Sequence, residues 1–312
     1  METELNFKSV IDLLLHFNTE EKCIEYLENL RWKKGVYCPH CFKSNPCKFN
    51  DGKTYKCSGK LCRKKFTVKT NSIFSGSNLP LQKWIAAMYL FSSHKKGISS
   101  VQMGKDIGVT QKTAWTMLHK IREAFGEPIK EQLSGTIELD ETFVGGKNKN
   151  RHKDKKVKNS QGRSFKDKTP ILGLLCRETK SVYCFVTKDT SQKQIQPLIY
   201  QNIEPGSKLM TDEWSAYWGL NATYDHNFVN HGAGQYYSEG DVTTNTLEGF
   251  WSHLKRGING TYHKTSRKYL QKYADEFSFR YNTRFETETE RLNHTLNNAY
   301  GKSLPYKRLI SN

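Results

Sequence analysis

The sequence predicts a multidomain α+β protein with an N-terminal zinc ribbon, a helix-turn-helix domain and a ribonuclease-H-like α/β catalytic domain. Two cysteine pairs come first, short amphipathic helices follow, and then come strands and helices in the order strand, two strands, helix, strand, helix. We place these domains at 32–76, 77–128 and 133–285. A helical segment at 1–31 precedes them, and a C-terminal tail at 286–312 follows.

The ribbon prediction rests on the spacing of four of the eight cysteines in the chain. They form two pairs, YCPHC and CSGKLC, and are Cys38, Cys41, Cys57 and Cys62. Tetrahedral Zn²⁺ takes four thiolates, which two such pairs supply, so we expect a structural Zn²⁺ here. The second pair is wider than the usual spacing, and Cys47 and His40 stay open as alternative ligands.

The helix-turn-helix prediction rests on apolar residues at helical spacing. They predict helices over 81–91, 99–107 and 110–125, with a tight turn at Gly108 and Val109. In such a motif the first residues of the last helix lie against the base edges of DNA. The residues expected there are Gln111, Lys112, Thr113 and Thr116. A plain helical hairpin is the alternative.

The charge of the chain favours a polyanionic partner. Lys and Arg number 49 against 31 Asp and Glu, for a formal net charge of +18. The lysine-rich loop 145–168 is expected to be a phosphate-binding arm or a solvated linker, and its DNA-binding candidates are Lys153, Lys155 and Lys156. Mean hydropathy is −0.74, and neither a membrane-length apolar run nor a cleavable signal pattern is present. We therefore expect a cytoplasmic, nucleoid-associated protein.

Three carboxylates predict a catalytic site. Asp140 and Asp212 each follow a short apolar run, so each is expected at the end of a strand. Glu248 lies on an amphipathic helix, on the face opposite the apolar residues. In phosphoryl transfer, two divalent ions about 4 Å apart hold the attacking and leaving oxygens, and such ions prefer oxygen ligands. Any one of them alone is better explained as a surface carboxylate or a helix cap, but the three together lead us to expect that they hold two Mg²⁺ or Mn²⁺ ions.

Two neighbours on that helix complete the predicted site. Asn245 precedes Glu248 by one turn and is the rival for the third ligand, since an amide oxygen also coordinates Mg²⁺, though more weakly. Lys255 lies two turns after Glu248 on the same face, where its ammonium would contact a DNA phosphate. A solvated lysine is the alternative interpretation.

Several segments together resemble one family, the DDE transposases of bacterial insertion sequences that carry an N-terminal zinc ribbon and are related to eukaryotic Merlin elements. They are KGISSVQMGKDIGVTQKTAW, LDETFVGGKNKNRH, TDEWSAY and NTLEGFWSHLKRGINGTYHKTSRKYLQKYADEFSFRYNTR. The resemblance implies a transposase that binds double-stranded DNA at the inverted-repeat ends of its element as a homo-oligomer. It also implies metal-dependent cleavage of those ends and joining of their 3′ hydroxyls to target DNA. Asp140, Asp212 and Glu248 fall on the catalytic positions of the family. Some relatives have Asn as the third residue, which keeps Asn245 open.

Two other functions are compatible with the same residues. One is a catalytically inactive DNA-binding regulator, which would cleave nothing in Mg²⁺ or Mn²⁺. The other is a ribonuclease-H-like nuclease without strand transfer, which would cleave DNA and leave the products unjoined. Product analysis separates both of them from a transposase.

Overall fold

The structure, a computed structural model, describes residues 5–146, 152–156, 168–229 and 243–311. The chain divides into two compact units. Unit 1 contains Met1–Phe125 and Phe285–Asn312, and unit 2 contains Gly126–Arg284. Among the described residues, no helix is both long enough and apolar enough to cross a membrane.

The helices and strands below are those of the described residues. The helices are α1 (Val10–His16), α2 (Glu20–Arg31), α3 (Leu81–Ser93), α4 (Ser100–Asp106), α5 (Gln111–Phe125), α6 (Gln192–Asn202), α7 (Asn245–Gly257), α8 (Leu270–Asn282), α9 (Glu288–Asn297) and α10 (Tyr306–Ile310). The strands are β1 (Cys47–Lys48), β2 (Tyr55–Lys56), β3 (Lys65–Phe66), β4 (Thr136–Gly145), β5 (Lys168–Cys176), β6 (Ser181–Val186), β7 (Lys208–Asp212) and β8 (Asp225–Val229).

Helix α3 forms the centre of unit 1. It is apolar on nearly all sides, and α1, α2, α5 and α9 pack against it. The segment 286–312, expected as a tail, instead folds into α9 and α10 within this unit. The reason is apolar burial, because Leu292, Leu296 and Leu309 are each at most 1% exposed.

Helices α4 and α5 occupy the segments in which the sequence predicts them. The Ser99 hydroxyl caps α4 by accepting from the Gln102 amide at 3.1 Å. Gly108 in the turn has φ +63, and a Cβ at Gly104 would lie 2.9 Å from the Val109 carbonyl oxygen, so both glycines are needed for the tight connection. The role of this helix pair in DNA recognition stays a prediction.

Unit 2 is built on a five-stranded sheet in the order β6-β5-β4-β7-β8. Strands β4, β5 and β6 are antiparallel neighbours, whereas β7 and β8 run parallel to β4. One face packs on α6 and the 3₁₀ turn Ser215–Tyr217, with Ile137 and Leu139 of β4 in that core. The other face packs on α7 and α8, through Val144 of β4 among others. Both faces of the sheet are therefore covered.

Asp140 does not lie at a strand end, which corrects the sequence prediction. Strand β4 continues to Gly145, because its antiparallel pairing with β5 runs the whole way from Ile137 to Gly145. The parallel pairing with β7 extends only as far as Glu138. Asp140 therefore lies just beyond the last residue of β4 that pairs with β7, where β4 is still paired with β5.

Candidate active site and zinc site

The parallel register of β4 and β7 brings Asp140 and Asp212 side by side. Thr136 lies opposite Lys208, and Glu138 lies opposite Met210. The same offset, carried two residues further, places Asp140 beside Asp212. Asp140 projects from the face of the sheet that packs on α7, where it contacts Trp251.

A third carboxylate joins them, and it is not the one that the sequence predicts. One carboxylate oxygen from each of Asp140, Glu141 and Asp212 lies within 4.8 Å of the others. The Tyr217 hydroxyl donates to Glu141 Oε1 at 2.8 Å and fixes that side chain. The sequence analysis missed Glu141, although its position directly after Asp140 was a usable signal.

Both aspartates are held by donors from the protein. The Trp251 indole Nε1 donates to Asp140 Oδ2 at 2.9 Å, and the Trp214 amide donates to Asp212 Oδ1 at 3.0 Å. The Trp251 ring fits against β5 because Gly173, directly opposite Asp140, has no side chain. A Cβ there would lie 2.6 Å from the indole. The orientation of Asp140 thus depends on Trp251 of α7 and on Gly173 of β5, which leaves room for the indole ring.

The pKa of Asp140 reflects its burial and its carboxylate neighbours. Burial, together with the charges of Asp212 and Glu248, raises the pKa of Asp140 to about 7, although hydrogen bonds from the Glu141 backbone and Trp251 oppose this shift. Carboxylates this close repel one another unless a cation lies between them. Partly buried oxygen donors on rigid strands fit Mg²⁺ or Mn²⁺.

The three site residues predicted on α7 lie along one exposed face of that helix. Asn245 is its first residue and Glu248 lies in its first turn. The charge of Glu248 acts on Asp140, although its oxygens are not in the group of three carboxylates described above. Burial lowers the pKa of Lys255, and the negative charge of Asp140 opposes this shift. Glu248 and Lys255 therefore lie close enough to Asp140 for their charges to interact with it.

A buried ion pair fixes the start of α7 to the strand that carries Asp140. Glu138 is fully buried, and its Oε1 accepts from Arg177 Nε at 2.8 Å. Its Oε2 accepts from the Leu247 amide in the first turn of α7 at 3.0 Å. Arg177 Nη2 also donates to the Thr243 carbonyl at 2.9 Å, just before the helix. The sequence analysis missed this pair, although a glutamate between Ile137 and Leu139 in a buried strand was a signal.

The four cysteines predicted to bind zinc form one cluster in unit 1. Their sulfur atoms all lie within 4.8 Å of one another, with 3.9 Å between Cys38 and Cys62 and 3.4 Å between Cys41 and Cys57. A tetrahedron with Zn–S bonds of about 2.3 Å has edges of about 3.8 Å, so the cluster fits the ion. Cys47 is not in the cluster.

Backbone amides support negative charge on this cluster. The His40 amide donates to Cys38 Sγ at 3.5 Å, and the Gly59 amide donates to Cys57 Sγ at 3.3 Å. A hydrogen bond from the Lys43 backbone, assisted by Cys57, lowers the pKa of the Cys41 thiol to about 7, whereas the pKa of the Cys57 thiol rises to about 12 because burial and the neighbouring thiols outweigh its hydrogen bond from the Gly59 amide. Thiolates are the form that binds zinc, so these contacts favour metal binding. The His40 side chain is exposed and is not in the cluster.

The predicted DNA-binding residues lie in two places. The four on α5 occupy its first two turns, where the Thr113 amide donates to the Thr110 hydroxyl at 3.3 Å. Lys153 and Lys155 lie in a short 3₁₀ turn, and Lys153 and Lys156 are exposed. The remainder of the lysine-rich loop, 147–151 and 157–167, lies outside the described residues.

Comparison with known proteins gives two family matches. Residues 132–282 match the ISXO2-like transposase domain, and residues 18–65 match the transposase zinc-ribbon domain. A protein of Halobacterium salinarum, described as an uncharacterized protein in transposable element ISH50, is 27% identical over 254 residues. That alignment covers 78% of this chain and 84% of the relative. The first match contains the three clustered carboxylates and Glu248, and the second contains the four clustered cysteines.

A solved structure was also matched. It is a chain of the simian T-cell lymphotropic virus intasome in complex with PP2A regulatory subunit B56 gamma, and it is 12% identical to this chain. The alignment covers 60% of this chain and 66% of that chain, with a TM-score of 0.28. A likeness at this level carries no argument about the present chain.

Proposed function

We propose a function on the premise that the chain belongs to the zinc-ribbon DDE transposases of insertion sequences, the resemblance that both family matches confirm. The protein binds the inverted-repeat ends of its own element, cleaves them by metal-dependent hydrolysis and joins the 3′ hydroxyl ends to target DNA. One observation carries this proposal above all. Asp140 and Asp212 lie side by side on parallel strands, with carboxylate oxygens close enough to share cations.

Four residues around the aspartates have a proposed task. Asp140 and Asp212 hold two Mg²⁺ or Mn²⁺ ions, and Glu248 completes the ligand set from α7, with Asn245 as its rival. Trp251 and the Trp214 amide keep the two aspartates oriented.

The reaction needs no covalent protein intermediate. When bound, two divalent cations lower the pKa of the attacking hydroxyl or water and stabilise charge on the leaving oxygen. Lys255, close enough for the charge of Asp140 to act on it, holds a DNA phosphate beside the carboxylates. The role of the protein is therefore to position the DNA and to concentrate negative charge between the neighbouring strands β4 and β7.

The remaining assignments follow from the same premise. The strand order of unit 2, with three antiparallel strands followed by two parallel ones, supports a ribonuclease-H-like catalytic domain. Helices α4 and α5 act as a helix-turn-helix, with Gln111 and Lys112 among its base-contacting residues. The four-cysteine cluster holds a structural Zn²⁺. The active form is a homo-oligomer on double-stranded DNA.

An assay on the ends of the element tests the proposal. Wild-type protein in Mg²⁺ should nick the end fragments and yield strand-transfer products, whereas Asp140→Asn and Asp212→Asn should abolish both steps and leave DNA binding intact. Asp225→Asn is the matched control, since Asp225 is exposed and pairs with Lys208 at the other end of β7. A wild-type protein that binds the ends and cleaves nothing would be a regulator. Cleavage without joined products would indicate a nuclease.

A further inference from the structure

A cavity of about 870 Å³ lies beside α5 in unit 1. We call it the α5 cavity. Its walls are the segment 75–79, one face of α5 and the residues that lead into α10. The lining includes two lysines, several hydroxyls and a tyrosine, namely Lys112, Lys120, Ser77, Thr116, Ser303 and Tyr306. Among the residues that the structure describes, the lining has two ammonium groups and no carboxylate, which suits an anion.

Lys120 is the unusual member of this lining. It is 9% exposed, and its ammonium donates to the Ser75 carbonyl at 3.3 Å and lies 6.0 Å from the centre of the Trp84 ring. Within the part of the chain that the structure describes, it forms no ion pair with a carboxylate. Burying a charge without a counter-charge is costly, so a lysine in this position calls for an anionic partner.

The geometry around Lys120 suits a phosphate group. An ammonium has three N–H donors, and one weak bond to Ser75 leaves two of them for an anion in the cavity. Lys112, on the same face of α5, is held 5.4 Å from the centre of the Tyr306 ring and supplies a second positive charge. The Thr116 hydroxyl lies between these two lysines along the helix and donates to the Lys112 carbonyl at 3.0 Å, so the two ammonium groups are the donors open to an anion here.

We propose that the α5 cavity binds a backbone phosphate of duplex DNA, with Lys120 as its buried anchor. This inference rests on the proposed function, because it requires that α5 meets DNA. Duplex DNA is the favoured source of the phosphate, since Lys112, Thr113 and Thr116 line the cavity and are three of the four predicted base-contacting residues. A phosphate in the cavity would set the depth and register of α5 in the groove. The C-terminal segment, through Tyr306, would form the opposite wall.

The salt dependence of DNA binding tests this directly. The affinity of full-length protein for a labelled duplex is measured by fluorescence anisotropy between about 50 and 200 mM salt, and each phosphate contact contributes about 0.9 to the slope of log K against log salt. We expect Lys120→Met to lower the slope by about 0.9 and the affinity by about tenfold or more, as for a lost hydrogen bond to a charged group. Lys22→Met, on the exposed surface of α2, removes the same charge and should change the slope far less.

Measurements of melting temperature distinguish a loss of DNA binding from a loss of folding. Methionine retains the apolar stem and removes an unpaired buried charge, so the melting temperature of Lys120→Met should not fall. If that variant does not fold, Lys112→Met tests the same cavity from its exposed side and should lower the slope by a similar amount. An unchanged slope in the folded variants overturns the inference and leaves the proposed function intact. Failure of the wild-type protein to bind any duplex overturns both.

Inorganic phosphate distinguishes the two sources of the ligand. The melting temperatures of wild type and Lys120→Met are compared in sodium phosphate and in sodium chloride of equal ionic strength. A rise for wild type in phosphate, together with a lowered DNA slope for the variant, supports a phosphate site used by DNA. A rise in phosphate with an unchanged DNA slope would assign the cavity to a small phosphate compound and overturn the inference.

Discussion

The buried pair of Glu138 and Arg177 predicts a specific local weakness in α7 when it is broken. The Glu138 carboxylate accepts two hydrogen bonds, one from Arg177 and one from the Leu247 amide in the first turn of α7. A hydrogen bond to a charged group contributes about 1.5–3 kcal/mol, and removing one member of a buried ion pair costs about 3–5 kcal/mol. Glutamine at 138 keeps one carbonyl acceptor for two donors, so we expect Glu138→Gln to weaken the anchoring of α7 by about 2 kcal/mol.

Amide hydrogen exchange measures the local stability of α7 directly. A local weakening of about 2 kcal/mol should make the amides of 245–257 exchange about 30-fold faster, while those of β4 change less. Glu204→Gln, an exposed change in the same unit, should leave exchange in α7 unaltered. If the α7 amides of Glu138→Gln exchange as slowly as in wild type, Glu138 does not anchor the helix.

A double-mutant cycle then assigns the effect to the pair. Arg177→Met leaves the Glu138 charge buried without its partner, and adding Glu138→Gln removes that charge. The double variant should therefore be less destabilised than the sum of the two single variants, by about 1–2 kcal/mol. At a temperature where all variants are folded, the cleavage rate at saturating DNA should fall while the Kd for DNA stays unchanged. Strict additivity would contradict a direct coupling.

Three further changes test other parts of the site. Cys57→Ser should release the zinc, as measured by elemental analysis, and it should impair binding to the element ends more than cleavage. Purified wild-type protein without stoichiometric zinc would refute the zinc site. Trp251→Phe keeps an aromatic ring but removes the hydrogen-bond donor to Asp140, so cleavage should slow by about 10- to 100-fold with unchanged DNA affinity. The control is Trp218→Phe, because the Trp218 side chain is exposed. Glu248→Ala should abolish cleavage and Asn245→Ala should be milder, whereas the reverse order would move the third ligand one turn earlier.

Local patterns predicted those parts of the molecule that depend on local sequence. The spacing of four cysteines predicted one cluster because each pair closes within a few residues. Apolar spacing predicted the segments of α4 and α5 for the same reason. Asp140 was predicted at the end of a strand because its apolar run stops there, yet pairing with β5 extends that strand to Gly145. Such an extension depends on a neighbouring strand, which no local pattern reveals.

The missed residues were those whose role depends on tertiary structure. Glu138 and Arg177 are distant in sequence, and they meet because β4 and the end of β5 lie in one sheet. Glu141 belongs to the carboxylate group only because the register of β4 against β7 brings Asp212 to the same level. The packing of α9 against α3 likewise joins two segments that are far apart in the chain.

Unit 1 is formed by two separate stretches of the chain, and this affects the order in which the two units fold. Unit 2 is one continuous stretch, Gly126–Arg284, so all of it has been synthesised before α9 is made. Domains generally fold as they emerge during synthesis, at about 5–20 residues per second. The side of α3 that α9 covers must therefore stay open while the whole of unit 2 is being produced. Unit 2, which contains the clustered carboxylates, would therefore fold before unit 1 is complete.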